Sequence, residues 1–99
     1  MAVILYKARD KVHKFMAVFP DGKVVRFGRL GYSDYTKHKD KERMKRYLGR
    51  HRKRENWTRS GAKTAGFWSR WLLWSSPNFN TALKITKRKL GQFVYSSSS

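Results

Sequence analysis

The chain has 99 residues, with 24 Lys and Arg against six Asp and Glu, giving a formal charge of +18 and a pI near 10.9. A hydrophobic share of 39% with 15% aromatics excludes a disordered polycation, because such a chain holds enough apolar surface to fold. The length allows one domain with a modest core, the lack of Cys excludes disulfides and thiolate metal sites, and no apolar run approaches the roughly 20 residues of a membrane span.

In chain order, residues 2–8 (AVILYKA) are short, apolar and β-branched, and predict a strand. A turn at Arg9-Asp10-Lys11 follows. Residues 12–19 and 23–29 flank Pro20-Asp21-Gly22, where Pro suits the second position of a type I turn and Gly the left-handed position that closes it. Pairing Phe19 with Lys23 sets Ala17 against Val25 and Phe15 against Phe27. Those four side chains then share a buried face, while Lys14, Lys23 and Arg26 lie nearer water.

Gly28 and Gly31 end the hairpin, and a helical pattern follows over residues 36–54. Met44, Tyr47, Leu48 and His51 recur at i, i+3, i+4 and i+7, a narrow apolar stripe on a charged rod capped by Asp34 or Thr36. Gly49 costs such a helix about 1 kcal/mol against Ala, which points to close packing or an early break. Residues 55–63 predict a polar connection anchored by Trp57, and a second helix spans about 64–74. Ser76 caps a third helix with Pro77 in its first turn. Phe79, Ala82, Leu83, Thr86 and Leu90 form its inner stripe, and Gly91 ends it. Phe93-Val94-Tyr95 predicts a short strand or a hook onto a neighbour, and residues 96–99 form a Ser-rich tail with no structure of its own. The expected fold is α+β: a single domain over residues 1–95, with a three-stranded antiparallel meander followed by three helices packed on one face.

Between Lys37 and Arg54 stand ten bases (Lys37, Lys39, Lys41, Arg43, Lys45, Arg46, Arg50, Arg52, Lys53, Arg54) against Asp40 and Glu42. Charge at that density repels itself, so it implies a polyanion or an acidic surface as partner. Lys39, Arg43, Arg46, Arg50, Lys53 and Arg54 are expected to share an outer helix face opposite Met44 and Leu48, suited to phosphates because guanidinium forks bind their oxygens bidentately. Lys84, Lys87 and Arg88 extend the patch. All four tryptophans fall between Trp57 and Trp74. Helical spacing puts part of that cluster in the core. One short helix cannot bury it all in so small a domain, so Trp57, Trp68, Trp71 and Trp74 are expected to offer a protein contact as well.

Catalysis finds little support. His13, His38 and His51 are scattered, and Asp34, Asp40 and Glu42 are better explained as helix caps and ion-pair partners than as metal ligands. Gly28-Arg29-Leu30-Gly31 lacks the length and the Lys-Ser/Thr ending of a phosphate loop. Nothing spells a helix-turn-helix, a zinc finger or an RNA-binding signature. No enzyme activity, cofactor, metal or small-molecule substrate is expected.

The run GYSDYTKHKDKERMKRYLGRHRKRENW, followed by SGAKTAGFWSRWLLW and preceded by VFPDGKVVRFG, resembles a family of small, basic, uncharacterised proteins of nucleocytoplasmic large DNA viruses of the phycodnavirus type. The resemblance covers about residues 13–76. It brings no catalytic residue. It implies a setting: the virion of a large double-stranded DNA virus, with the host cytoplasm and its viral factory during assembly. In that setting the expected role is a small minor capsid protein bridging capsid subunits and internal anionic surfaces, with capsid proteins of the same virion as partners and double-stranded DNA or membrane headgroups as the anions. The alternative is a nucleoid protein that binds and condenses DNA without reading its sequence.

Overall fold

The computed structural model describes residues 3–96 and has α+β architecture. Strands β1 (Val3–Lys7), β2 (His13–Val18) and β3 (Val24–Arg29) are followed by helices α1 (Tyr35–His38), α2 (Lys41–His51) and α3 (Ala65–Trp68). Helix α3 runs on into a π-helical turn (Ser69–Leu73), and then come α4 (Phe79–Leu90) and strand β4 (Phe93–Ser96). The sheet order is β3-β2-β1-β4. No helix among the described residues is long and apolar enough to cross a membrane.

The hairpin has the register that its turn chemistry dictates. Ala17 faces Val25 and Phe15 faces Phe27, the Phe19 amide donates to the Lys23 carbonyl at 2.8 Å, and Gly22 takes φ 93°. The sheet, however, is mixed rather than a three-stranded meander. Phe93, Val94 and Tyr95 pair in parallel with Val3, Ile4 and Leu5. A parallel neighbour needs a long crossover, and α4 is the element that returns the chain to β1. Ser96 belongs to this strand, so the expected tail shrinks to residues 97–99, which lie outside the described residues, as does Ala2 of the expected first strand.

The expected helix over 36–54 is two helices. Asp34 caps α1 by accepting from the Thr36 amide, and Lys39 closes it in a left-handed conformation (φ 58°). Asp40 then caps α2, accepting from the amides of Glu42 and Arg43 at 3.0 and 3.3 Å. Helix α2 stops at His51. A Cβ added at Gly49 would meet nothing within 4 Å, so close packing is not the reason for that glycine. At α4 the cap is Asn78 rather than Ser76, whose hydroxyl accepts from the Asn78 amide in the turn before the helix.

The core lies between one sheet face and the helices that follow α2. Leu5, Ala17, Phe19, Val25, Phe27 and Phe93 meet Phe67, Trp68, Leu72, Leu73 and Leu90. Trp68 is wholly buried, stacked on Phe27 at 5.6 Å and 25°, with its indole N–H donating to the Ala62 carbonyl at 2.8 Å. It is therefore core, and the contact surface expected of it is ruled out. Lys14 also departs from expectation: its side chain is 8% exposed and its ammonium sits 2.5 Å from Asp34, which is itself buried. On the opposite sheet face, Ile4 pairs with Val18 and Val94, Tyr6 with Met16, and Val18 with Val24. These side chains stay half-buried except Val94, which is 55% exposed, and none belongs to the core cluster.

Candidate functional site

Helix α2 stands off the core, with none of its 11 residues buried. Arg43, Arg46 and Arg50 on this helix are exposed, as are Lys39 before it and Lys53 and Arg54 after it. Lys84 and Arg88 on α4 are exposed, and Lys87 is half-buried with its ammonium 5.6 Å over the Phe93 ring. None of these bases forms an ion pair among the described residues. The carboxylates are engaged elsewhere. Asp10 holds His13 and Arg26, Asp21 holds Lys63, Asp34 holds Lys14, Glu42 holds Lys45 and Glu55 holds His51, while Asp40 is spent on the α2 cap. The bases are thus left in surplus over the carboxylates.

The expected single outer face of α2 is divided. Arg43 and Arg50 turn with Tyr47 and His51 toward a cleft of about 450 Å³ between α2, the end of β3 and the α3 segment, whereas Arg46 does not line it. Arg29, Tyr32 and Ser33 form the opposite rim. Tyr47 is the hinge pin of the cleft. Its ring stacks on Trp74 at 4.2 Å and on His51 at 4.3 Å. Burial, with the Glu55 carboxylate adding to it, holds the Tyr47 phenol well above its ordinary pKa. Glu55, the carboxylate on the lining, is occupied by His51 at 3.0 Å and by the Trp57 indole N–H at 2.9 Å.

Trp57, Trp71 and Trp74 are half-buried and tied together. The Trp71 indole N–H donates to the Trp57 carbonyl at 2.8 Å. The Arg70 guanidinium lies 4.2 Å from the Trp71 ring centroid and 5.4 Å from that of Trp57, and the Lys89 ammonium lies 4.6 Å from that of Trp71. Arg70 has no carboxylate partner among the described residues, and its Nε is buried without a hydrogen bond. Desolvation lowers its pKa, an effect that the neighbouring Tyr47 opposes. Trp57 and Trp71 therefore present a cation-covered edge rather than an open apolar patch, while Trp74 is covered by Tyr47.

Asp34, Asp40 and Glu42 do not converge, and no group of three His, Asp or Glu gathers for a metal ion among the described residues. Pattern reading missed Arg29, Tyr32 and Ser33, because nothing local distinguishes a strand-end arginine and a polar loop until the fold sets them opposite α2. Arg70 was missed as well: it covers Trp71, one residue on, and Trp57, far back in the chain, and neither spacing is that of facing side chains on a helix.

Residues 3–51, from β1 to the end of α2, match the model of a family of unknown function (DUF5754). No curated protein and no solved structure matches the chain.

Proposed function

We propose that this protein is a non-catalytic bridging protein that grips a polyanion with its helical side and docks on an acidic protein with its open sheet face. The observation that carries this reading is the separation of two chemically opposite surfaces. Helix α2 contributes unpaired cations and nothing to the core, while Ile4, Tyr6, Met16, Val18, Val24 and Val94 make an apolar grid on the far face of the sheet, with the base Arg26 standing opposite Met16. A half-buried grid of this kind, with Val94 exposed, fits a protein partner. With +18 on each chain, self-association is opposed and an acidic partner is favoured.

In the setting implied by the resemblance, the protein is a minor capsid protein of a large double-stranded DNA virus, holding capsid subunits to internal anionic surfaces. Gentle disruption of such particles tests it: the protein should stay with the emptied shells, and release with the DNA would contradict the capsid role. The second reading, a DNA-coating nucleoid protein, draws on the same nine unpaired bases, but it leaves the sheet face without a task.

A further inference from the structure

The cleft beside α2 differs in kind from the convex cationic surface around it. Arg43 and Arg50 stand seven residues apart, about 10.5 Å along the helix, and Arg29, at the end of β3, lines the same cleft. None of the three has a carboxylate partner among the described residues. Lys14 also lines the cleft, but Asp34 cancels its charge. Three guanidinium charges less that of Glu55 leave a surplus of two, the charge of a phosphomonoester near neutral pH. A backbone phosphodiester carries only one negative charge, and a duplex presents a convex surface that cannot enter a concave site. At about 450 Å³ the hollow falls in the size range of small-ligand sites and is generous for inorganic phosphate alone. Tyr32, 67% exposed at the rim with Arg29 5.9 Å over its ring, offers a surface on which a base can stack.

We propose that the cleft takes a nucleotide through its phosphomonoester, with Arg29, Arg43 and Arg50 on the phosphate and Tyr32 against the base. A free nucleotide and the 5′-phosphorylated end of a strand share this chemistry. The inference builds on the polyanion reading but adds recognition of an end, which a merely cationic surface does not supply.

The test measures affinity by titration calorimetry for a single-stranded hexanucleotide with a 5′-phosphate, the same hexanucleotide with a 5′-hydroxyl, a nucleoside monophosphate, and covalently closed circular duplex, which has no ends. The phosphorylated hexanucleotide should bind about tenfold tighter than its hydroxyl counterpart. The double variant Arg29→Ala/Arg50→Ala should erase that ratio, and the charge-matched variant Lys7→Ala/Lys23→Ala, outside the cleft, should preserve it. Binding of the monophosphate in competition with the phosphorylated strand identifies free nucleotide as an occupant; its failure to compete assigns the cleft to strand ends. Equal affinity for the two hexanucleotides, or a ratio that survives loss of Arg29 and Arg50, overturns the inference. Circular duplex separates the two claims. Circles bound without end preference defeat the cleft and leave the polyanion grip, and ends bound without circles do the reverse. Thermal melts of both variants confirm that they fold.

Discussion

Tyr47 lies flat on Trp74, the ring planes 2° apart and the centroids 4.2 Å apart, and this contact fastens a helix that buries none of its own residues. Replacing Tyr47 by Ala should cost about 2 kcal/mol, combining the ring pair with the lost apolar contact. Tyr47→Phe keeps the stack and should cost distinctly less. Urea unfolding of both variants checks the order, and equal losses would contradict it.

Trp68 should dominate the core. Trp68→Ala removes a wholly buried indole that touches Phe27, Phe19 and Phe93, and should cost about 3–5 kcal/mol, enough to unfold much of so small a domain. Trp57→Ala removes a half-buried ring and should cost distinctly less. Their melting temperatures should rank in that order.

Much of this core was legible in the sequence, and the reasons differ by element. Pro20-Asp21-Gly22 admits few turns, so the register from Phe19 to Phe27 followed from it. Phe93 to Tyr95 carry an apolar pattern that says strand without naming a partner, so the parallel pairing with β1 stayed hidden. Asp34 and Asp40 both read as capping residues, yet only the left-handed Lys39 between them makes both correct. The cleft was illegible because Arg29 and Arg43 come to line one cleft only through the fold.

The Lys14–Asp34 pair is a second sensitive point, because Asp34 is buried and the Lys14 side chain is only 8% exposed. Asp34→Asn strands an ammonium and weakens the α1 cap, and should cost about 3–5 kcal/mol. Adding Lys14→Met should recover part of that loss. A double-mutant cycle in denaturant measures the coupling, and additive losses would show that the pair does not interact.

His38 sets an acid-side dependence. Desolvation comes first and the Arg43 charge second in lowering its pKa, with Lys14 adding to them and Asp40 and Asp34 opposing. Its Nδ1 accepts from the Asp40 amide at 2.8 Å, which requires the neutral ring. With the folded pKa below the unfolded value near 6.5, the unfolded chain binds the proton more tightly. The contribution of His38 is therefore fully present above about pH 6.5 and declines as pH falls through the folded pKa. His38→Gln should flatten the melting-temperature profile on the acid side of 6.5, and an unchanged slope would contradict this account.

The central claim is a phosphate-gripping cationic surface that reads no sequence. Its most direct test is the affinity for closed circular duplexes of two unrelated sequences across a salt series. The wild-type protein should bind both equally, with log K falling linearly in log salt, and replacing Arg43, Arg46 and Arg50 together by Glu should lower the slope by about 3 or more and weaken binding to both alike. Affinity indifferent to salt, or unchanged by those three substitutions, would contradict it.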